Sequence, residues 1–252
     1  MSNQDQLNHL RHSCAHLLAA AVLKLYPHAL PTIGPAIEDG FYYDFDFGDT
    51  KISNQDLDQI ETQMRTLVKD WQEFTKQQVT PEQAKAHFAN NPYKLELIEE
   101  FTSQDQPLTF YQSGEFIDLC RGGHCLRPYK DLKHFKLLSV AGAYWRGNEK
   151  NKMLTRIYGT CYPNATGLTD HLTRLEEAKQ RDHKKLGKEL DLFVFSETVG
   201  KGLPLFTPKG STIRRELERF ITDEELKRDY VHVYTPDIAS LNLYKKSGHY
   251  PY

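Results

Sequence analysis

Apolar residues recur at helical spacing from Leu7 to Tyr26, at Leu7, Leu10, Leu17, Leu18, Ala21, Val22 and Leu25, and this periodicity predicts a helix. Pro27, Pro31, Gly34 and Pro35 then punctuate a loop. In Phe41–Phe47 the aromatic positions 41, 43, 45 and 47 alternate with Tyr42, Asp44 and Asp46, the pattern of a half-buried strand whose acidic face is open to solvent or to substrate. Leu57, Ile60, Met64, Leu67, Val68 and Trp71 form one stripe and predict a helix from Ser53 to Gln77, with Ser53 as its cap. Thr80-Pro81 opens another helix, which ends near Asn91-Pro92. The segment that follows carries a lone Lys94, and a lysine in such a place is ordinarily a surface charge.

Leu108–Tyr111 and Phe116–Leu119 flank Ser113-Gly114 and predict a hairpin, and two more strands follow at Leu137–Trp145 and Met153–Tyr158. The first part of the chain is thus a mixed α+β unit. Leu168, Leu172, Leu175 and Ala178 mark a helix that turns heavily charged through Lys179–Lys185 and reads as a linker after a boundary near residue 165. Beyond it come a strand at Leu190–Phe195, a helix capped by Ser211, and a strand at Val231–Thr235 that stops at Pro236. These elements are too few to close a core, so the second domain is expected to be incomplete.

Composition changes this picture little, whereas charge distribution changes it locally. The formal net charge is -2, so no overall field points to a polyanion. Eight acidic residues face one lysine between Glu38 and Glu61, and eight Lys/Arg face two acidic residues between Arg121 and Lys152, a basic stretch of the kind that attracts phosphates. The four cysteines lack CxxC spacing and disulfide density, and no signal peptide precedes them, which implies reduced thiols in the cytoplasm. Leu17–Tyr26 is the most apolar run, and it is too short to span a bilayer.

The candidate chemistry lies in two motifs. His12 and His16, four apart on the first helix, face the same way, and Cys120 and His124 repeat that spacing across Gly122-Gly123, a tight turn whose N–H groups could approach an anion or a carbonyl. The helical pair lacks the glutamate that a zinc protease carries after its first histidine, since Ser13 stands there. One thiolate and three imidazoles could bind zinc tetrahedrally, and without metal the same groups could orient a water for attack on an ester carbonyl.

His12-Ser13-Cys14-Ala15-His16, Ile33-Gly34-Pro35, Gly40–Asp44, Asp118–His124 and Tyr144–Gly147 closely resemble the editing domain of the threonyl-tRNA synthetases, whose HxxxH/CxxxH pairing is shared with the alanyl enzymes. Arg156–Thr160, Leu175–Ala178, Arg181–Gly187, Leu190–Phe193 and Pro208–Gly210 resemble the threonyl linker and the start of its class II domain, and Ser211–Lys227 followed by Val231–Pro236 is similar to motif 1, a dimer interface in that family. The resemblance implies an editing domain over residues 1–165, a linker helix over 166–190 and the incomplete start of a class II antiparallel-sheet domain over 191–252. It implies hydrolysis of Ser-tRNA(Thr), a second sieve of the kind needed where small side chains are hard to tell apart. By the same resemblance His12, His16, Lys94, Asp118, Cys120 and His124 are catalytic, with Lys94 and a histidine orienting water and Asp118 and Cys120 shaping the serine site, while Tyr111 and Arg121 hold the tRNA 3′ end.

No metal is implied for editing in the threonyl type, although the alanyl relatives place zinc at this constellation. ATP, Mg and the zinc that selects threonine are expected only with a catalytic part beyond Tyr252, and tRNA(Thr), serine or threonine and a second subunit are the implied partners. Gly123 stands where the family usually has proline, which loosens the turn, and the family's ubiquitin-like module is not seen ahead of the first helix. A freestanding deacylase, or a non-catalytic tRNA-binding or dimerisation module, are the alternative readings.

Overall fold

The computed structural model describes residues 3–250; the outermost ends of the expected domains, residues 1, 2, 251 and 252, lie outside them. The elements in order are α1 (Asn3–Leu25), β1 (Leu30–Pro31), β2 (Ala36–Ile37), β3 (Gly40–Asp46), α2 (Leu57–Leu67), β4 (Thr75–Val79), α3 (Pro81–His87), α4 (Pro92–Ser103), β5 (Leu108–Ser113), β6 (Phe116–Leu119), α5 (Pro128–Asp131), β7 (His134–Tyr144), β8 (Met153–Tyr162), α6 (Ala165–Gln180), α7 (His183–Glu189), β9 (Phe193–Phe195), β10 (Pro204–Phe206), α8 (Pro208–Leu226) and α9 (Leu241–Lys246). They fall into two compact units, Met1–Arg174 and Leu175–Tyr252.

In the first unit β1, β3, β8 and β7 form an antiparallel sheet with β2 added to β3, and β4, β5 and β6 form a smaller one. Helix α1 packs on the large sheet. Every residue from Cys14 to Val22 is buried, so the helix is enclosed on all sides rather than half-sunk in a surface. Leu17, Leu18 and Val22 meet Phe41, Tyr43, Phe45, Ile157 and Phe135 from the sheet and Ile60 and Met64 from α2 in one core. Each such side chain contributes about 1.5–3 kcal/mol by leaving water. Ala15, Ala19, Ala20 and Ala21 let neighbouring elements approach α1 closely, so the orientation of His12 and His16 is set by the packing of the whole unit.

The fold departs from the sequence reading at several places. The helix expected from Ser53 to Gln77 ends at Leu67, followed by a single 3-10 turn. At Trp71 the backbone swings to extended geometry (φ -86°, ψ 96°), and its indole packs on Phe74 and Phe116. Residues 75–79 then pair with β5 as an edge strand. Ser53 does cap, but a short 3-10 turn with a capping box to Asp56. Lys94 is not on the surface: Asn91 caps α4 and places Lys94 in its first turn, where it is 2% exposed. The two carboxylates on the alternate face of β3 are buried rather than solvated. Asp44 makes a two-pronged bond to Arg156, and Asp46 accepts from Tyr93 and Lys152.

In the second unit β9 and β10 pair, and Thr207 rather than Ser211 caps α8, because Pro208 fits the first helical position. No strand forms at 231–235: Val231, Val233 and Tyr234 are exposed and have no strand partner among the described residues. Leu217 and Phe220 on α8 are each 62% exposed. No helix among the described residues is long and apolar enough to cross a membrane.

Candidate hydrolytic site

The two histidines of α1 and the turn after β6 meet at one point. His12 Nε2 lies 3.0 Å from Cys120 Sγ and 3.4 Å from His16 Nε2, and His124 Nε2 lies 3.6 Å from the same sulfur. The turn is tied to α1 through Ser13, whose hydroxyl donates to the His9 carbonyl at 2.8 Å and accepts from the Cys125 N–H at 2.9 Å. Ser13 therefore fills the place of a protease glutamate with a fastener. Gly122 and Gly123 adopt φ of 101° and 86°, and the Gly122 N–H donates to Cys120 Sγ. Proline cannot reach the Gly123 value, so this turn is built for glycine.

Beneath the cluster lies a buried polar triad. Lys94 forms an ion pair with Asp118, their side chains 2% and 4% exposed, and the Tyr43 hydroxyl donates to Asp118 at 2.6 Å while standing 3.3 Å from the Lys94 ammonium. Asp118 also accepts from the Leu119 N–H, and His16 Nδ1 stands 3.4 Å from it, outside hydrogen-bonding alignment. His124 is stacked on Phe74 with ring centres 4.1 Å apart and lies against Tyr111 at 4.6 Å. Cluster and triad, apart from His124, line a single pocket of about 590 Å³ walled by Thr32–Ala36, Leu97, Phe101 and the 120s turn.

Burial sets the protonation of these groups. It lowers His12, lowers His16 well below the usual imidazole value and brings His124 to about 3, so all three are neutral at pH 7. His12 is depressed least, because the Gly34 carbonyl, 3.3 Å from Nδ1, and the Asp118 charge pull the other way. The same bond implies that His12 carries its proton on Nδ1 and turns a lone pair at Nε2 into the cluster. Burial pushes the Cys120 thiol up to about 11 and raises the Tyr43 phenol well above its ordinary range.

The four donor atoms of His12, His16, Cys120 and His124 all lie within 4.8 Å of one another, and the separations of 3.0, 3.4 and 3.6 Å among them are close to the roughly 3.3–3.8 Å edges of a tetrahedron with bonds of about 2.0–2.3 Å. The group could hold a divalent metal ion such as zinc, with Cys120 giving up its proton.

All six residues expected to be catalytic thus converge on one place. Arg121 stays at the pocket mouth, bonded to Gln106 and lying over the Phe101 ring, and Tyr111 borders His124. Sequence reasoning missed Tyr43, Ser13, His9 and Phe74. Tyr43 was legible only as a core position of an alternating strand, since nothing in that pattern marks its hydroxyl as the partner of an aspartate far along the chain.

Residues 108–158, which include Asp118, Cys120 and His124, match the family model described as the threonyl and alanyl tRNA synthetase second additional domain. The threonine–tRNA ligase of Streptococcus thermophilus is 54% identical over 98% of this chain, and those of Acholeplasma laidlawii and Streptococcus mutans are 53% and 52% identical over 96% and 98% of it. The chain is a relative of the threonine–tRNA ligases. It spans 37–38% of the length of these ligases, and the aligned region takes in both units and both halves of the four-residue cluster.

Proposed function

We propose that the first unit is an editing deacylase that hydrolyses the ester of Ser-tRNA(Thr). The observation that supports this most directly is the convergence of the neutral His12–His16–Cys120–His124 cluster with the buried Lys94–Asp118 pair at one pocket, which all of them but His124 line. Ester hydrolysis needs a positioned water, a proton acceptor and a donor for the developing oxyanion. His12 Nε2 presents a lone pair to take the proton of the water. Lys94, fixed by Asp118 and Tyr43, supplies positive charge beside the pocket floor, and Asp118 and Cys120 bound the space for a small hydroxylated side chain. Arg121 at the mouth and Tyr111 beside His124 hold the RNA 3′ end. A metal bound by the four-donor group would supply Lewis acidity; the reading adopted is water held by protein groups alone, as the resemblance to the threonyl type implies.

In this reading residues 1–165 form the editing domain, 166–190 a linker helix, and 191–252 the start of a class II domain. The exposed apolar side chains of α8 suit packing against more of that domain or a second subunit. The complete ligase would be a cytoplasmic dimer joining threonine to tRNA(Thr) with ATP and Mg, with zinc in its catalytic part.

The test compares hydrolysis of Ser-tRNA(Thr) and Thr-tRNA(Thr) by the wild type, His16→Ala and Lys94→Ala. Selective loss of the seryl ester, reduced at least tenfold in each variant, is expected. No seryl hydrolysis by the wild type, or equal hydrolysis of both esters, overturns the proposal. Chelators should leave the rate unchanged; loss on chelation with recovery on zinc would overturn the metal-free reading alone.

A further inference from the structure

A second pocket, of about 680 Å³, opens beside the first and, His124 apart, shares no residue with the cluster and triad above. Its lining includes Gln6, His9, His124, Leu126, Arg127 and Lys130. His9 belongs to both pockets, and His124, which closes the four-residue cluster, borders the second. Between them runs the bare backbone of the Gly122-Gly123 turn. A Cβ at 123 would lie 3.2 Å from the His9 ring and one at 122 only 2.5 Å from the Tyr111 hydroxyl, so side chains there would crowd the sill.

The chemistry of the second pocket differs from that of the first. Arg127 and Lys130 are exposed; the Lys130 ammonium lies 5.4 Å from the centre of the Tyr129 ring, and neither side chain is in an ion pair among the described residues. The one carboxylate in the lining, Asp131, accepts from the Arg127 backbone N–H. Leu126 is 86% exposed and, with the His9 ring, offers a surface on which a base can lie. Two cations outside any ion pair, an apolar face and a volume within the ordinary range for small-ligand pockets (about 300–1,000 Å³) suit a nucleotide.

We infer that this pocket binds the ribonucleotide preceding the terminal aminoacylated adenosine, with Arg127 and Lys130 on its phosphodiesters. The inference rests on the deacylase reading. That reading puts the ester in the first pocket, and a chain crossing the glycine sill past His9 then enters the second. The basic stretch from Arg121 to Lys152 gains a local purpose, because Arg127 and Lys130 are the members of it that line this pocket.

The experiment uses two substrates, the seryl ester of adenosine and the seryl ester of the trinucleotide CCA, and measures the ratio of their kcat/KM values. For the wild type the trinucleotide should be favoured at least tenfold, and the salt slope of log(kcat/KM) should be about -1.4 for two phosphate contacts on a single strand. Arg127→Ala/Lys130→Ala should bring the ratio to within about twofold of one, and Arg127→Lys/Lys130→Arg should restore most of it. Binding of unacylated CCA is followed separately by amide NMR shifts at residues 124–131. A wild-type ratio near one, a double variant that keeps the wild-type ratio, or CCA that moves no amide in this segment overturns the inference. Wild-type protein that cleaves neither ester yet binds CCA through Arg127 and Lys130 refutes the deacylase reading and upholds the RNA pocket.

Discussion

Replacing Lys94 by methionine keeps the length and apolar stem of the side chain and removes the cation paired with Asp118. Both side chains are almost free of solvent, 2% and 4% exposed, so the carboxylate cannot recover its hydration. Breaking a buried pair from one side costs about 3–5 kcal/mol. Tyr43 and the Leu119 N–H still donate to Asp118, at 2.6 and 2.8 Å, which places the expected loss at the lower end, ~3 kcal/mol. The assay is urea unfolding followed by tryptophan fluorescence. Trp71 and Trp145 both lie in the first unit, so the signal reports that unit alone. With a slope of roughly 1–3 kcal/mol per molar urea, the midpoint should fall by about 1–3 M. Adding Asp118→Asn removes the stranded charge and should recover at least ~1 kcal/mol. A loss under ~1 kcal/mol in Lys94→Met, or a double variant less stable than Lys94→Met, would refute the argument that the two charges stabilise each other in a solvent-free site.

Burial holds His16 far below 6.5 and His124 at about 3, so between pH 6.5 and about 3 the unfolded chain binds protons that the folded chain does not. Stability is therefore complete above 6.5 and lost as pH falls; urea midpoints at pH 7.5 and 5.0 should show the drop, and His124→Phe should shrink it. Gly34→Ala would place a methyl 2.1 Å from Tyr43 Cδ2, and it should lower both the urea midpoint and the seryl deacylation rate; unchanged values would contradict the close approach. Arg11, 2% exposed, donates to the Ile37 and Glu38 carbonyls, so Arg11→Met should cost roughly 1–3 kcal/mol, read from the same unfolding curves. Under the deacylase reading His12→Ala should reduce kcat more than His124→Ala, and the opposite order would remove His12 as proton acceptor.

Much of this architecture was legible because local rules and tertiary demands agree. The stripe of α1 and the β5–β6 hairpin lie where periodicity and turn residues put them. The misreadings share a cause. From Ser53 to Gln77 the apolar stripe continues through Trp71, but Trp71, its last member, is held by Phe74 and Phe116 rather than by helix continuation, and residues 75–79 find a partner in β5. Val231–Thr235 has the composition of a strand and no neighbour to pair with, and a strand alone cannot satisfy its backbone. At the site, spacing brought His12 to His16 and Cys120 to His124, but only resemblance pointed to Lys94. Its burial follows from Asn91 starting α4 three residues earlier and from an aspartate on β6, and neither is visible within a window of sequence.

The protonation pattern gives the site its chemical character. At neutral pH the cluster consists of three uncharged imidazoles and a thiol pushed up to about 11, so its four heteroatoms crowd together without net charge. The layer below holds a cation and an anion side by side, Lys94 and Asp118. An imidazole at about 3 is too weak a base to take a proton from water on its way to an ester, and the same objection applies to His16. His12 is lowered by burial as well, but least of the three, because the Gly34 carbonyl accepts its Nδ1 proton and Asp118 favours its cation against the opposing charges of His9 and Lys94. The Thr32–Ala36 wall and α1 are therefore coupled: the segment that shapes the pocket also sets the basicity of the group that faces into it, so a change in either is felt in both.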